Sequence, residues 1–304
     1  MPATLASWPL AELPTISVVQ DLLDSPTTSC VQPLIFFHLY NLSVLASSPL
    51  LSRTHALRLR IPGRLIACLL HAGRQPPPLP LITFLDLSTS RVRIEDAHSL
   101  LRGLPHLRHL VLDHCGLLED ADEPDWGAFA YHGMLACNGL ALEETVNEQL
   151  AALGGASFTG YPRQREVRIL PRASALRTLS LSVPAHVDAD ARHVLLDAFR
   201  HGWAEAVALF NRLVCAARRS RSEEGVLMLR FPLPGEAGNV LREYVFPGMV
   251  VVNDDEEFER LTVVRDEKDC PVVCLAGQNG RGEGIEHAEG CGHSIGWDIW
   301  EDTS

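Results

Sequence analysis

The chain has 304 residues, 46% of them apolar, and its 26 Lys+Arg against 38 Asp+Glu give a formal net charge of −12. That is enough apolar material for a sizeable core, and a charged share of 21% argues against wholesale disorder. Residues 251–304 hold 14 acidic and 4 basic residues, so they offer no basic stripe for phosphates, and nucleic acid is not an expected ligand.

The N-terminal stretch has no Lys or Arg before Arg53 and so lacks the positive n-region of a secretory leader. The eight cysteines, at 30, 68, 115, 137, 215, 270, 274 and 291, are widely spaced. Reduced thiols and an intracellular location, cytoplasm or nucleus, are expected. Residues 25–52 carry no charge, but Pro33 and Pro49 bracket a segment too short for a membrane span. Residues 34–48 read as a buried helix, within an N-terminal helical cap over 1–50.

Leucine marks the next region: 28 of the first 118 residues are Leu, against 2 of the last 54. Short alternating segments recur with helical ones between them. Leu57-Arg58-Leu59 precedes a helix-spaced run from Arg64 to His71, closed by Gly73. Pro76-Pro77-Pro78 then turns the chain into Phe84-Leu85-Asp86-Leu87. Glu95-Asp96 open a helix that Gly103 closes. Leu107, Leu110, Leu112, Cys115 and Leu117 then fit L-x-x-L-x-L-x-x-N/C-x-L at every fixed position.

That segment resembles a leucine-rich repeat, with partial matches at Ile82/Leu85/Leu87 and Leu176/Leu179/Leu181 and weaker ones at Leu57/Leu59 and Leu227/Leu229. The expected fold class is α/β: a leucine-rich-repeat-like solenoid of short parallel strands and helices over residues 51–235. Near 119–155 it is interrupted by an irregular insertion with an acidic loop, Glu119 to Asp125, and helical material at 142–150. Asp188 to Arg219 reads as a long helix, broken at Gly202 and basic at its C-terminal end, where cations favour the macrodipole. Residues 236–304 form a separate acidic, β-rich cap and tail, with strands at 244–246, 249–252, 261–264 and 272–275.

Chemistry is sparse. Gly292-His293-Ser294-Ile295-Gly296 fits the G-x-S-x-G nucleophile elbow, yet no His follows Ser294 and no strand leads into it. Cys270-x-x-x-Cys274 and His287-x-x-x-Cys291-x-His293 supply thiols and imidazoles, but the glycines between 277 and 284 separate the two groups. Those same glycines lack the Lys-Ser/Thr of a phosphate-binding loop. No metal, cofactor or catalytic set is therefore expected, and the chain is read as a non-enzyme. The alternative is a small metal-binding or hydrolytic protein using the tail.

The remaining candidate is the sheet face opposite the inward leucines. Strand alternation puts Ala56, Arg58 and Arg60 there, with Phe84, Asp86, Ser88, His109, Val111 and Asp113. Thr178, Ser180 and Ser182, then Val226, Met228 and Arg230, are expected to extend it. Arg58, Arg60, Phe84, Asp86, Ser88, His109, Val111 and Asp113 form the candidate partner-binding face.

The chain as a whole resembles the fungal F-box/leucine-rich-repeat proteins over residues 50–235, and its ending, His287 to Asp298, is similar to tails in that group. Leu13-Pro14, Val18-Val19 and Leu22-Leu23 are F-box-like in spacing, while the later hydrophobic and Trp positions of that motif are not evident. The resemblance implies a substrate adaptor, in which N-terminal helices dock on a ubiquitin-ligase scaffold and the repeats hold a protein target. Protein partners are expected, and neither nucleic acid nor membrane.

Overall fold

A computed structural model describes residues 14–20, 49–67, 70, 79–104, 106–118, 123–134, 164–171, 173–184, 187–220, 227–232, 249–252, 265–266, 268–276 and 286–301. Its strands are β1 (Thr15–Val19), β2 (Ala56–Arg60), β3 (Phe84–Asp86), β4 (His109–Leu112), β5 (Gln164–Pro171), β6 (Thr178–Leu181), β7 (Leu227–Pro232), β8 (Met249–Val252) and β9 (Val272–Cys274). Helices are α1 (Ile94–Gly103), α2 (Glu123–Met134), α3 (Ala189–Ser220) and α4 (Gly292–Glu301).

The fold is α/β. Six strands form one sheet in the order β1-β2-β3-β4-β6-β9, every neighbouring pair parallel, with helices between strands. Each strand therefore lies beside its predecessor in this sheet, without the order reversal of a doubly wound fold. The register aligns Leu57, Leu85, Leu110 and Leu179 across β2, β3, β4 and β6. These leucines, with Leu59, Leu87, Leu112 and Leu181, are buried in one core that Ala97, Leu100 and Leu101 of α1 also enter.

The strand starts repeat one hydrogen-bond device. A single carbonyl accepts two successive amides of the next strand: Pro14 O from His55 and Ala56, His55 O from Thr83 and Phe84, Thr83 O from Arg108 and His109, Arg108 O from Arg177 and Thr178. The bends that follow the strands also repeat. Cys115 donates its thiol to Leu87 O at 3.2 Å, and Ser90, one repeat earlier, donates its hydroxyl to Leu59 O at 3.2 Å. The residue before each, Thr89 at φ 67° and His114 at φ 53°, is left-handed. Cys115 thus holds the bend by bonding the preceding strand's backbone, a polar requirement met inside the core.

Several boundaries differ from the sequence reading. Residues 15–19, expected in a helical cap, form the first strand, because Ile16 and Val18 alternate onto the core while Val19 points out. β9, assigned to a separate cap, is the sixth strand of the main sheet. Its approach is fixed by Asn211 on α3, which donates to Arg265 O at 2.8 Å and accepts from Arg265 N at 2.9 Å. Residues 227–232 extend no parallel array: β7, β5 and β8 make an antiparallel sheet of their own, so Met228 and Arg230 leave the proposed face and Val226 lies outside the described residues. The expected strands at 244–246 and 261–264 and the helices at 34–48 and 142–150 lie outside them too.

α3 runs unbroken through Gly202. That glycine is a crossing point: a Cβ there would fall onto the Gly127 carbonyl of α2. The contact lets Trp126 and Phe129 of α2 pack with Phe199 of α3, with ring centroids 5.5 Å apart for Trp126–Phe199 and 6.3 Å for Phe129–Phe199. Among the described residues no helix is long and apolar enough to cross a membrane.

Candidate functional site

The candidate face exists, with the expected register. Ala56, Phe84, His109, Thr178 and Val272 form one row across the strands, and Arg58, Asp86, Val111, Ser180 and Cys274 the next. It is not open to solvent. α4, from the far end of the chain, lies on it over Ala56, Phe84 and Val111, and Asp86, Ser88 and Asp113 are buried as well. Ile295, Ile299 and Trp300 pack on Ala56, Phe84 and Val111. The free partner-binding surface read from strand alternation is thus covered by the chain itself, because its apolar members need a cover and α4 supplies one.

Two glycines make the approach close. A Cβ on Gly292 would meet Ser180 Oγ at 2.8 Å, and one on Gly296 would meet Phe84 Cζ at 3.0 Å. Residues four apart share a helix face, so Gly292 and Gly296 together form the flat side laid on the sheet. The G-x-S-x-G spacing is therefore a packing pattern. Ser294 sits within a helix and donates its hydroxyl to Cys291 O at 2.8 Å, without the strand-to-helix turn of an elbow.

The charges of the face are matched internally. Asp86 accepts from Arg58 Nε at 3.1 Å and from Arg60 Nη2 at 2.6 Å, and its other oxygen accepts the Ser88 amide at 3.0 Å. Arg58 also stacks on Trp300, its guanidinium carbon 4.5 Å from the ring centroid, tying α4 to β2. Burial, then the neighbouring Arg60 charge, pulls Arg58 down to about 10, against the support of Asp86. His109 shares a hydrogen bond with Thr178 Oγ1 at 3.0 Å. Burial first, then Arg177 and Arg108, lower its imidazole to about 4, so it is neutral near pH 7.

Asp113 stands at the bend after β4, fully buried, and both its oxygens lie within 3.0 Å of His293 Nε2 on α4. This pair links positions 180 residues apart and carries the chain into a cluster that sequence reasoning kept apart. Cys274, His287, Cys291 and His293 bring one donor atom each to within 4.8 Å of one another. His287 Nδ1 is 3.6 Å from Cys274 Sγ and 3.7 Å from Cys291 Sγ, and His293 Nδ1 is 3.9 Å from Cys291 Sγ. Parallel pairing of β9 with β6 puts Cys274 at the sheet face, and α4 returns Cys291 and His293 to it. The two groups that the sequence reading kept apart thus meet at the sheet face. Cys270 stays out, packed against the leucine core with its thiol pushed up to about 11 by burial.

Within the cluster the Cys274 hydrogen bond, then His293 and the Ser294 amide, pull the Cys291 thiol down against burial. Cys274 is pushed up by the same bond and by burial. Burial opposes protonation of His293, but Asp113 and then Cys291 outweigh it and raise the imidazole to about 9. His109 faces Thr178, and the His114 amide donates to Ser182 Oγ at 2.6 Å. Neither joins the cluster, whose members among the described residues are Cys274, His287, Cys291 and His293. No family model, no curated protein and no solved structure matches this chain.

Proposed function

We propose that the chain is a non-catalytic protein-interaction module built on a leucine-rich-repeat type of solenoid, whose sheet face recognises an amphipathic helix. The observation that carries this reading is α4 itself, a helix laid across the rows containing Phe84 and Val111. Apolar anchors (Phe84, Val111, Ala56) with a charged flank (Arg58, Arg60, Asp86) are what helix-in-groove recognition needs. Both carboxylates of the face are engaged, Asp86 by two guanidiniums and Asp113 by His293, which favours binding over acid–base catalysis. Repetition of the same strand-start and bend hydrogen bonds supports the repeat architecture.

In this reading a partner helix competes with α4 for the face. The test is quantitative capture from cell extract on immobilised full chain, wild type beside Trp300→Ala, which weakens α4 docking without altering the sheet. A protein bound by both and enriched several-fold by Trp300→Ala supports the reading, whereas identical captures would mean that the face is closed core. The narrower reading, a substrate adaptor for a ubiquitin ligase, is tested by mixing the full chain with a purified ligase scaffold. Co-elution on size exclusion, lost in Leu22→Glu/Leu23→Glu, supports it; separate elution removes it. Of the F-box-like spacing, Val18 and Val19 belong to β1, while Leu22 and Leu23 lie outside the described residues.

A further inference from the structure

We propose that Cys274, His287, Cys291 and His293 form a structural Zn²⁺ site of the Cys₂His₂ kind that fastens α4 to the sheet. The donor set comes first: two thiols and two imidazoles, the soft and borderline ligands that select zinc among the common divalent ions. Geometry follows. Zinc–sulfur bonds of about 2.3 Å and zinc–nitrogen bonds of about 2.0–2.1 Å, at tetrahedral angles, place ligand sulfur and nitrogen about 3.6 Å apart. Three of the four sulfur–nitrogen edges here measure 3.6, 3.7 and 3.9 Å, and all four donor atoms lie within 4.8 Å of one another. All three involve Nδ1, so both rings turn the same nitrogen toward the sulfurs.

The surroundings fit a metal as well. His293 directs Nε2 at Asp113, 2.9 Å away and fully buried. A carboxylate behind a ligating histidine fixes the tautomer, with the proton on Nε2 and the lone pair on Nδ1. Ile295 N donates to Cys291 O at 3.2 Å, so Cys291 caps α4 and its sulfur sits at the positive end of the helix. The His287 ring is held edge-on between His293 and Trp297, each with its centroid 5.0 Å away. With four protein donors no coordination position remains for water or substrate, so the ion is structural. The mechanical consequence is a clip: β9, the turn before α4, and α4 meet at one ion, with β4 behind it through Asp113.

This inference stands apart from the interaction reading, since a clipped α4 is compatible with a face that binds a partner or with one that does not. The test uses the full chain, expressed with zinc in the medium and purified without chelator. Elemental analysis is expected to find about one zinc per chain. Replacement by Co²⁺ is expected to give the intense visible bands of tetrahedral cobalt with thiolate-to-metal charge transfer. Asp113→Asn keeps all four donors and is expected to weaken zinc binding about 10–100-fold in a competitive chelator titration. Cys274→Ser/Cys291→Ser is expected to lose the metal; if that variant does not fold, the wild-type cobalt spectrum decides alone. Zinc below about a tenth per chain with both thiols free, a Cys274–Cys291 disulfide, or an octahedral cobalt spectrum would each overturn the site.

Discussion

Gly292→Ala is a sharp test of how α4 lies on the sheet, because two effects of opposite sign meet there. In a helix with open space around it, replacing Gly by Ala is favourable by up to about 1 kcal/mol. Here the new methyl would lie 2.8 Å from Ser180 Oγ, 3.1 Å from Thr178 Oγ1 and 3.2 Å from Val111 Cγ2. None of the three yields easily: they sit on two paired strands, and Thr178 is engaged by His109. Overpacking of this kind costs about 1–3 kcal/mol, so a net loss of about 1–2 kcal/mol is expected. Gly296→Ala is the internal control. Its methyl meets only the far edge of the Phe84 ring, at 3.0 Å, and a small tilt relieves it, so its expected change is near zero. Urea unfolding followed by tryptophan fluorescence reads the difference, since Trp297 and Trp300 lie on α4. A Gly292→Ala protein as stable as wild type, or a larger loss for Gly296→Ala, would refute this seating of the helix.

The leucine rows give a second ordering. Leu110→Ala should open a core cavity costing about 2–5 kcal/mol, while Val111→Ala, under α4, should lose about 1–2 kcal/mol; thermal melts with the opposite order would mean the register is wrong. Gly202→Ala drives a methyl onto the Gly127 carbonyl and should cost about 3 kcal/mol, against the gain expected if α2 and α3 did not cross there. Asp86→Asn leaves two largely buried guanidiniums without their carboxylate and should cost about 2–3 kcal/mol, less than a fully buried pair because both arginines keep some solvent contact. Stability should also fall on acidification through the window set by His109. Its folded value of about 4 lies below the unfolded 6.5, so the unfolded state binds the extra proton and stability is lost as pH drops from 6.5 toward 4. His109→Gln should flatten that slope in denaturation curves collected across the window.

The parallel strands from β2 to β4 were legible because the pattern that marks them is local. Leu57, Leu85 and Leu110 recur with strand alternation on each side, and parallel strands separated by one helix have few other ways to stack. Cys115 could be placed from its own repeat because its partner, Leu87 O, lies one rung back. β1 was not legible. Thr15-Ile16-Ser17-Val18-Val19 is a good strand, but its partner β2 lies farther along the chain than the repeat spacing, so no periodicity announces it. β7 failed for the converse reason: Leu227 and Leu229 carry the right alternation, and their antiparallel partner β5 lies on the far side of α3, beyond any local pattern.

The covered face shows why alternation alone could not settle exposure. Period-two spacing tells which residues share a face, and nothing in it tells whether that face meets water or another element. Phe84 and Val111 carried the signal, since two apolar side chains on adjacent rows of a face otherwise set with Arg58, Asp86 and Asp113 ask for a cover. The cover came from α4, where Gly292 and Gly296 match the G-x-S-x-G spacing without its strand or its histidine, and where their helical spacing is the packing signal. All four donors were visible in the sequence, but Cys274 could not be grouped with His287, Cys291 and His293, because β9 had to join the parallel sheet beside β6 before Cys274 could face them. Long-range pairing thus joins both features: β9 as the sixth strand brings Cys274 beside the N-terminal end of α4, the helix that covers Phe84 and Val111 on β3 and β4. The face and the cluster are consequently one structural event, and Asp113, buried between them on His293, is the residue through which each holds the other.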